Sequence, residues 1–382
     1  MFMQYWRLSS FYFSYFAMIG AIVPYWTLYL TSVNFDPIEI GFLASILMGT
    51  KVVSPYLFGW LSDKFQAPVS VIRITSALSL IAFSFIFITD SFIGTALVIA
   101  SFSFFWNGQI GQFESITLSN ISKDTSRYGG IRAWGSIGFI VSVLTLGFLI
   151  KKNGINDLPI FMTAILLLIV LSSLVVKKKT QKITHNKKKS FLHDFLKPNV
   201  FFFFITCFFL QVSHGPYYTF FSIYLTDLEY SEYQISSLWA LAVFAELILF
   251  LFMFKIQKFL DLRAIIKISL IFSMLRWLLI FLYPNNFSAI IVAQLFHAFS
   301  FGSFHAAAVQ WVGKSFSLNN QGQGQAFYSA IGFGAGGAVG ALLSGYIWDY
   351  DPKMVWFFAF SASLLAFLLS FFISSGQHER PS

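Results

Sequence analysis

Apolar stretches of about 20 residues recur along the whole chain, and short polar breaks separate them. A helix needs about 20 apolar residues to cross the roughly 30 Å hydrocarbon core of a membrane. The pattern therefore predicts an all-α membrane protein with twelve spans. These lie near residues 8–31, 39–60, 69–89, 92–118, 128–150, 157–176, 200–226, 233–255, 264–283, 287–312, 323–348 and 354–374. Because eleven spans follow the first, it is interpreted as a permanent helix rather than a cleaved signal peptide.

The composition agrees with a membrane environment and excludes several functions. Of the 382 residues, 57% are hydrophobic and only 11% are charged, against about a quarter in soluble domains. Of the 25 Lys and Arg, three lie deep in spans, three lie in odd-numbered loops, and the remaining 19 lie in or beside the even-numbered loops and the termini. The positive-inside rule then predicts cytoplasmic N and C termini. The net charge of +9 reflects this topology rather than nucleic-acid binding. Cys207 is the only cysteine, which excludes redox chemistry as the main function.

A lysine-rich break divides six spans from six. Residues 177–199 hold eight lysines and one acidic residue, Asp194. We predict an N-terminal six-helix half over residues 1–176, a cytoplasmic linker over 177–199, and a C-terminal six-helix half over 200–382. The linker is interpreted as a solvated connection, and the alternative is a basic patch that contacts lipid.

The two halves resemble each other weakly. Short matching segments are Pro24–Thr27 with Pro216–Thr219, at an offset of 192, and Ser136–Phe139 with Ala330–Phe333, at 194. A tandem six-helix repeat is a known plan of membrane transporters. An offset of 195 places Lys51 of the second span on Glu246 of the eighth. The repeat therefore predicts opposite charges at equivalent depths, both facing a central cavity.

Charged residues and histidines deep inside the predicted spans are the strongest functional signal. They are Lys51, Glu114, Arg132, His214, Glu246, Arg276, His297 and His305. A charge at the centre of a bilayer costs about 2.5–3.5 kcal/mol on insertion scales, so it persists only when it is paired, hydrated or used. These residues therefore predict a binding or ion-coupling function within the membrane.

In the first half, Arg132 and Glu114 are predicted to approach each other from neighbouring antiparallel helices. A guanidinium can hold a carboxylate by two hydrogen bonds, and a purely structural ion pair is the alternative. The partner of Lys51 is open between helix backbone, a glutamate and a substrate carboxylate, and the last is preferred.

In the second half, Glu246, Arg276 and His297 fall on spans eight, nine and ten. A carboxylate with an arginine and an imidazole within reach is the equipment of a proton-coupled carrier. We predict that Glu246 takes the proton, because Arg132 would compete for Glu114. A structural ion pair is again the alternative.

Further residues are predicted to line a binding site. His305 shares a helical face with His297 and Phe301, and His214 precedes Gly215–Pro216, which is predicted to break or bend span seven. The predicted cavity walls include four aromatic residues beside the prolines, namely Tyr25, Trp26, Tyr217 and Tyr218. No zinc-ligand spacing, catalytic triad or phosphate loop occurs, so no metal, cofactor or enzymatic activity is predicted.

Two segments of the first half resemble the major facilitator superfamily. The loop after span two is similar to the family's G-x-x-x-D-R/K motif, since it reads GWLSDK at residues 59–64, although FQAP replaces the motif's basic tail. The segment YGGIRAWGS, residues 128–136, resembles the fifth-helix signature of the branch that contains lactose, nucleoside and phenylpropionate permeases. In that branch an acidic residue on helix four pairs with the arginine near the substrate, which implies this role for Glu114 and Arg132.

The second half resembles the phenylpropionate permeases in QVSH at residues 211–214, and in the residues Tyr217, Tyr218, Ala245, Glu246, Arg276, Trp277, His297 and His305. In the lactose permeases, the equivalent Glu, Arg and His couple transport to protons, which implies proton symport here. The extra acidic residue of those permeases is absent, because Ser300 and Phe301 stand in its place, and a sugar is therefore disfavoured.

The resemblance implies a multi-pass protein of the bacterial inner membrane that takes up a small aromatic carboxylate with a proton. The expected partners are this substrate, the proton and membrane lipid, and a monomer suffices for a pathway. A nucleoside or sugar symporter of the same fold is the alternative, and a membrane sensor that does not transport is a third possibility.

Overall fold

The computed structural model describes residues 2–121, 126–177, 195–317 and 320–373. Its described part contains twelve apolar helices, and eleven of them are long enough to cross a membrane. They are α1 (Met3–Ser32), α2 (Pro37–Phe65), α3 (Pro68–Ile88), α4 (Phe92–Ile121), α5 (Tyr128–Asn153), α6 (Ile155–Val175), α7 (Pro198–Asp227), α8 (Glu232–Phe259), α9 (Leu262–Leu282), α10 (Phe287–Ser315), α11 (Gln321–Tyr350) and the shorter α12 (Met354–Ser370). The predicted all-α class with twelve apolar helices is confirmed, and eleven of these helices have the length of a membrane span.

The starts of α2 and α8 are fixed by matching side-chain caps. Asp36 accepts a hydrogen bond from the backbone N–H of Glu39, whose carboxylate accepts one from the N–H of Asp36. Ser231 and Gln234 exchange the same two bonds at the start of α8. Such reciprocal caps satisfy N–H groups that a helix leaves unpaired. The two capping positions of α2 correspond to the two capping positions of α8 at an offset of 195. The two halves therefore begin these helices in the same register.

A second pair of caps repeats this offset. Ser91 accepts from the N–H of Gly94 at the start of α4, and Asn286 accepts from the N–H of Ala289 at the start of α10. Because α2 and α8 start in register, Lys51 and Glu246 stand at the same distance from their respective caps. The predicted equivalence of these two charged positions is therefore supported by local geometry.

Helices α1 and α5 approach closely through glycines. A Cβ atom added to Gly20 would lie 2.7 Å from the carbonyl oxygen of Phe139, and one added to Gly138 would overlap the backbone of Phe13. Helices α7 and α11 repeat this packing. A Cβ on Gly336 would lie 2.6 Å from the carbonyl oxygen of Phe208. Small residues let helix backbones approach in membranes, where dispersion contacts replace the hydrophobic effect.

These contacts pair α1 with α5 and α7 with α11 in a similar way. In each pair a glycine of the later helix meets the backbone of the earlier one, as Gly138 meets Phe13 and Gly336 meets Phe208. The equivalent packing agrees with the repeat predicted from the sequence matches at offsets of 192 and 194.

The two prolines have different local structures. Pro24 lies in a π-helical segment, Ile22–Trp26, within α1. In contrast, α7 continues through Pro216, so of the predicted break or bend of span seven the break does not occur. Pro216 has no N–H to offer the carbonyl of Val212, and Gly340 of α11 packs against that carbonyl instead. Gly215 permits this approach, because a Cβ there would overlap the backbone of Gly340.

The described residues form two compact units. Unit 1 comprises those within residues 1–182 and 218–240, and unit 2 comprises those within 183–217 and 241–382. The later parts of α7 and the first turns of α8 thus belong to unit 1, whereas the predicted division placed them in the C-terminal half. Most of the predicted linker, residues 178–194, lies outside the described part, and the three-part division stays a prediction.

Aromatic rings form much of the core of each unit. In unit 1, Trp106 of α4 stacks on Tyr15 of α1 with ring centroids 5.0 Å apart. In unit 2, Phe203 of α7 stacks on Trp311 of α10 at 3.9 Å. Other rings, such as that of Phe259, are almost fully exposed on the protein surface, as expected for side chains that face lipid.

Candidate functional site

A buried arginine and histidine lie at the centre of the polar network in unit 2. Arg276 of α9 is fully buried, and its Nη1 lies 3.0 Å from Nδ1 of His297 on α10. A guanidinium can only donate hydrogen bonds, so Nδ1 of the imidazole must be the acceptor. A neutral His297 therefore carries its hydrogen on Nε2.

The other side of this imidazole faces an acidic residue. Nε2 of His297 lies 3.6 Å from Oε2 of Glu246 on α8, an electrostatic contact longer than a normal hydrogen bond. The three residues predicted to act together thus form one chain, Arg276 to His297 to Glu246. A second proton on His297 would place an N–H against the N–H of Arg276, so the arginine opposes protonation at Nδ1.

Two further residues complete this network. Oε1 of Gln294 accepts a hydrogen bond from the hydroxyl of Tyr217 at 2.8 Å and from Nη2 of Arg276 at 3.5 Å. The guanidinium carbon also lies 4.0 Å from the ring centroid of Tyr217 and 4.5 Å from that of Trp277. Tyr217, predicted to bind substrate, is engaged by Arg276. Gln294 was missed, although a polar residue three positions before His297 in an apolar run was the available signal.

The side chain of Glu246 packs against a π-helical segment of α10. Residues Ala298–Ser303 of α10 form this segment, directly after His297. A Cβ added to Gly302 would lie 2.9 Å from Cγ of Glu246 and 3.3 Å from Cδ2 of Leu249. The absence of a side chain at Gly302 therefore lets the Glu246 side chain lie against α10 beside the imidazole. π-helical segments of this kind often occur at functional sites.

The other two predicted histidines lie next to this chain. His305 is stacked on Phe301, which is itself stacked on His297, and the interplanar angles are 10° and 9°. The predicted common face of these three residues is confirmed. Nδ1 of His305 lies 3.1 Å from the hydroxyl of Tyr328 on α11. Nδ1 of His214 lies 2.8 Å from the carbonyl oxygen of Leu210, so it carries a hydrogen that it donates.

In unit 1, Arg132 is held by aromatic rings. Its guanidinium carbon lies 4.1 Å from the ring centroid of Phe16 and 5.5 Å from that of Tyr12, both on α1. Arg132 and Glu114 interact electrostatically, and Tyr128 also interacts with Glu114. Within the described ranges, however, the two charges do not approach within the 4.0 Å of a direct ion pair. The predicted bidentate pairing is therefore not formed, because the guanidinium stacks on α1 instead.

Lys51 of α2 has no acidic neighbour in the part of the chain that the structure describes. Its Nζ lies 3.6 Å from Sδ of Met48, and no carboxylate oxygen there comes within 4.0 Å. A thioether sulfur is a weak acceptor and does not neutralise an ammonium group. Of the three partners considered for Lys51, a glutamate is thus not found.

The helix that carries Lys51 is fixed by polar contacts to α4. Nδ2 of Asn107 donates to Oγ1 of Thr50 at 2.9 Å and to the carbonyl oxygen of Leu47 at 3.1 Å. Oγ1 of Thr50 also donates to Oγ of Ser103 at 3.0 Å. These bonds fix Thr50, the residue directly before Lys51, against α4.

The remaining predicted aromatic residues are enclosed to different degrees. Tyr25 is buried, and its hydroxyl donates to the carbonyl oxygen of Val143 at 2.7 Å. Trp26 is also buried and stacks on Tyr29 with ring centroids 5.3 Å apart. Tyr218 is half-buried. Contact of these rings with a ligand stays a prediction.

The sequence is similar to a known protein family and to two bacterial transporters. A family model described as "MFS_1 like family" matches residues 5–360. The chain is 25% identical to a "Probable 3-phenylpropionic acid transporter" of Escherichia coli (strain K12) over 352 residues, which cover 89% of this chain and 90% of that protein. It is 28% identical to the "Uncharacterized transporter YwbF" of Bacillus subtilis (strain 168) over 384 residues, which cover 99% and 95%.

The fold also matches a solved structure. The crystal structure of the nucleoside transporter NupG superposes with a TM-score of 0.80 at 19% identity, covering 97% of this chain and 99% of that one. This likeness shows a major facilitator fold, which agrees with the twelve helices described above. The chain therefore belongs to the MFS_1-like family, and it is a multi-pass membrane transporter rather than an enzyme.

Proposed function

We propose that this transporter takes up a small aromatic or otherwise planar carboxylate together with a proton. The observation that carries the proposal is the pair of intramembrane cations in unit 1, Lys51 and Arg132, neither of which has a directly paired carboxylate in the described part of the chain. A charge inside a membrane protein is stabilised by a counter-ion, and a substrate anion supplies one.

The chemistry of the substrate follows from these two residues and from a relative. An ammonium and a guanidinium both favour carboxylate oxygens. The rings of Phe16 and Tyr12 beside Arg132 add planar apolar surface. The similarity to the probable 3-phenylpropionic acid transporter supports an aromatic acid of this kind.

Electrostatics explain why a proton accompanies the anion. Moving a monoanion inward against a membrane potential costs about 2.3 kcal/mol per 100 mV, and one co-transported proton makes the movement electroneutral. Glu246 is the proposed proton carrier, because it faces Nε2–H of His297 while Arg276 occupies Nδ1. Both nitrogens of the imidazole are then engaged, so the carboxylate of Glu246 is the group that accepts the transported proton.

The second candidate function is a nucleoside or sugar symporter. An uncharged substrate would bring no counter-ion to Lys51 and no directly paired carboxylate to Arg132, so the carboxylate is preferred. The two functions predict different uptake. Proteoliposomes under an imposed pH gradient, acidic outside, are expected to accumulate labelled 3-phenylpropionate and to leave labelled uridine at its passive level. Accumulation of uridine alone would overturn the carboxylate proposal.

The proposal includes a cellular arrangement. In this proposal the transporter lies in the bacterial inner membrane with both termini in the cytoplasm, an orientation that the distribution of Lys and Arg supports through the positive-inside rule. One chain provides both the cations of unit 1 and the proton network of unit 2, so a monomer suffices.

The glycine beside Glu246 gives a first mutational prediction. Gly302→Ala is expected to lower pH-driven accumulation of 3-phenylpropionate about tenfold, because the added methyl group would push the Glu246 side chain away from His297. Initial uptake rates and accumulation ratios in proteoliposomes measure this loss.

Gly313→Ala is the matched control, since Gly313 lies on the same helix and a Cβ there would meet no atom within 4 Å. It is expected to transport like the wild type. Equal behaviour of the two variants would show that the position of Glu246 does not depend on Gly302.

A further inference from the structure

Gln294 of α10 is buried at the point where α7, α9 and α10 meet in unit 2. Its Oε1 accepts from the hydroxyl of Tyr217 at 2.8 Å and from Nη2 of Arg276 at 3.5 Å. Arg276 has no acceptor atom, so the amide can be oriented in one way only, with its oxygen toward the guanidinium. The residue is 0% exposed.

Gln294 and His297 hold Arg276 at two points. They stand three residues apart and thus on one face of α10. Nη2 of Arg276 faces Oε1 of Gln294, and Nη1 faces Nδ1 of His297. The rings of Tyr217 and Trp277 lie against the guanidinium, and the two acceptors on α10 add directional hydrogen bonds that orient its Nη atoms. Loss of the acceptor at Gln294 is therefore expected to weaken the bond to His297.

We propose that Gln294 is a positioning residue for proton coupling, which holds Arg276 on Nδ1 of His297 and so sets the pH range of transport. With Arg276 in place, the imidazole presents only Nε2–H to Glu246. Once Arg276 can turn away, Nδ1 is free to accept a proton. The resulting imidazolium would stabilise ionised Glu246 and make it harder to load with a proton. This inference rests on the proposed proton symport.

The charged and titratable groups around the imidazole support this assignment. Arg276 of α9 and Glu246 of α8 flank its two nitrogens. From α7, the ring of Tyr217 lies 5.8 Å and that of His214 6.5 Å from the His297 ring, measured between centroids. A neutral amide at position 294 lets Arg276 remain shared between two acceptors. A carboxylate there would draw the guanidinium into a bidentate pair and away from His297.

The test uses the full-length transporter in proteoliposomes with labelled 3-phenylpropionate. Accumulation driven by an imposed pH gradient is measured across a range of external pH, and substrate exchange is measured without a gradient. For Gln294→Met, the pH at half-maximal accumulation is expected to fall by about one unit, while exchange stays within about twofold of the wild type. Gln294→Glu is expected to shift the profile in the same direction and further.

Gln325→Met is the control, because the amide of Gln325 donates to the carbonyl oxygen of Val309 on the same unit and lies outside this network. It is expected to retain the wild-type pH profile. An unshifted profile in Gln294→Met, or a parallel loss of exchange and accumulation, would overturn the inference. If Gln294→Met does not fold, the isosteric Gln294→Glu decides in its place. If the wild type itself shows no proton-driven accumulation, the proposed function fails instead.

Discussion

Replacing Glu246 with Gln is expected to abolish accumulation of 3-phenylpropionate against a gradient while exchange across the membrane persists. A glutamine has the shape of the protonated acid but cannot bind or release a proton. Each pH unit of gradient drives about a tenfold accumulation when one proton moves with the substrate. In the variant the accumulation ratio should fall to one. Gradient-driven uptake and counterflow in the same proteoliposomes measure the two activities separately.

Glu232→Gln provides the matched control, since Glu232 begins the same helix and is exposed. It is expected to accumulate substrate like the wild type. Retained accumulation in Glu246→Gln would show that the proton binds elsewhere. Equal loss of exchange would show that Glu246 serves binding or folding rather than coupling.

The residues of this network could be predicted because burying charge in a membrane is expensive. That argument selected Glu246, Arg276 and His297 from a chain rich in apolar residues, and the structure places them in one chain of contacts. It could not assign the tautomer of His297, which depends on which nitrogen Arg276 reaches. Nor could it find Gln294, because glutamine carries no formal charge and the argument selects only charged or titratable residues.

Other expectations were met only in part. Arg132 and Glu114 interact electrostatically as predicted, but they form no direct ion pair in the described part of the chain, and the guanidinium carbon lies 4.1 Å from the ring centroid of Phe16. Pro216 does not break α7, and Gly340 of α11 packs against the carbonyl of Val212 that the missing N–H leaves without its helical donor. Both outcomes depend on neighbouring helices, which a single stretch of sequence does not specify.

The cation of Lys51 leads to the second large effect. Lys51→Met is expected to weaken binding of 3-phenylpropionate about 100-fold, because a charge-assisted contact to a carboxylate contributes roughly 2–3 kcal/mol when water is excluded. Binding of the uncharged amide of the same acid should stay within about twofold. Equilibrium binding to the purified transporter, with both compounds measured on both proteins, gives the comparison directly.

The sign of the stability change separates a binding cation from a structural one. If Lys51 has no carboxylate partner until substrate arrives, its charge costs free energy in the empty transporter, and Lys51→Met should unfold at a higher temperature without ligand. If the cation instead stabilises the fold, the same substitution should lower that temperature. Lys64→Met is the control, because Lys64 lies at the end of the same helix, with its Nζ 4.6 Å from the ring centroid of Trp60. This substitution should change neither the affinity for 3-phenylpropionate nor the unfolding temperature of the empty transporter. Weaker binding combined with greater stability would identify Lys51 as a charge held ready for the substrate, whereas unchanged affinity would remove the carboxylate from this position.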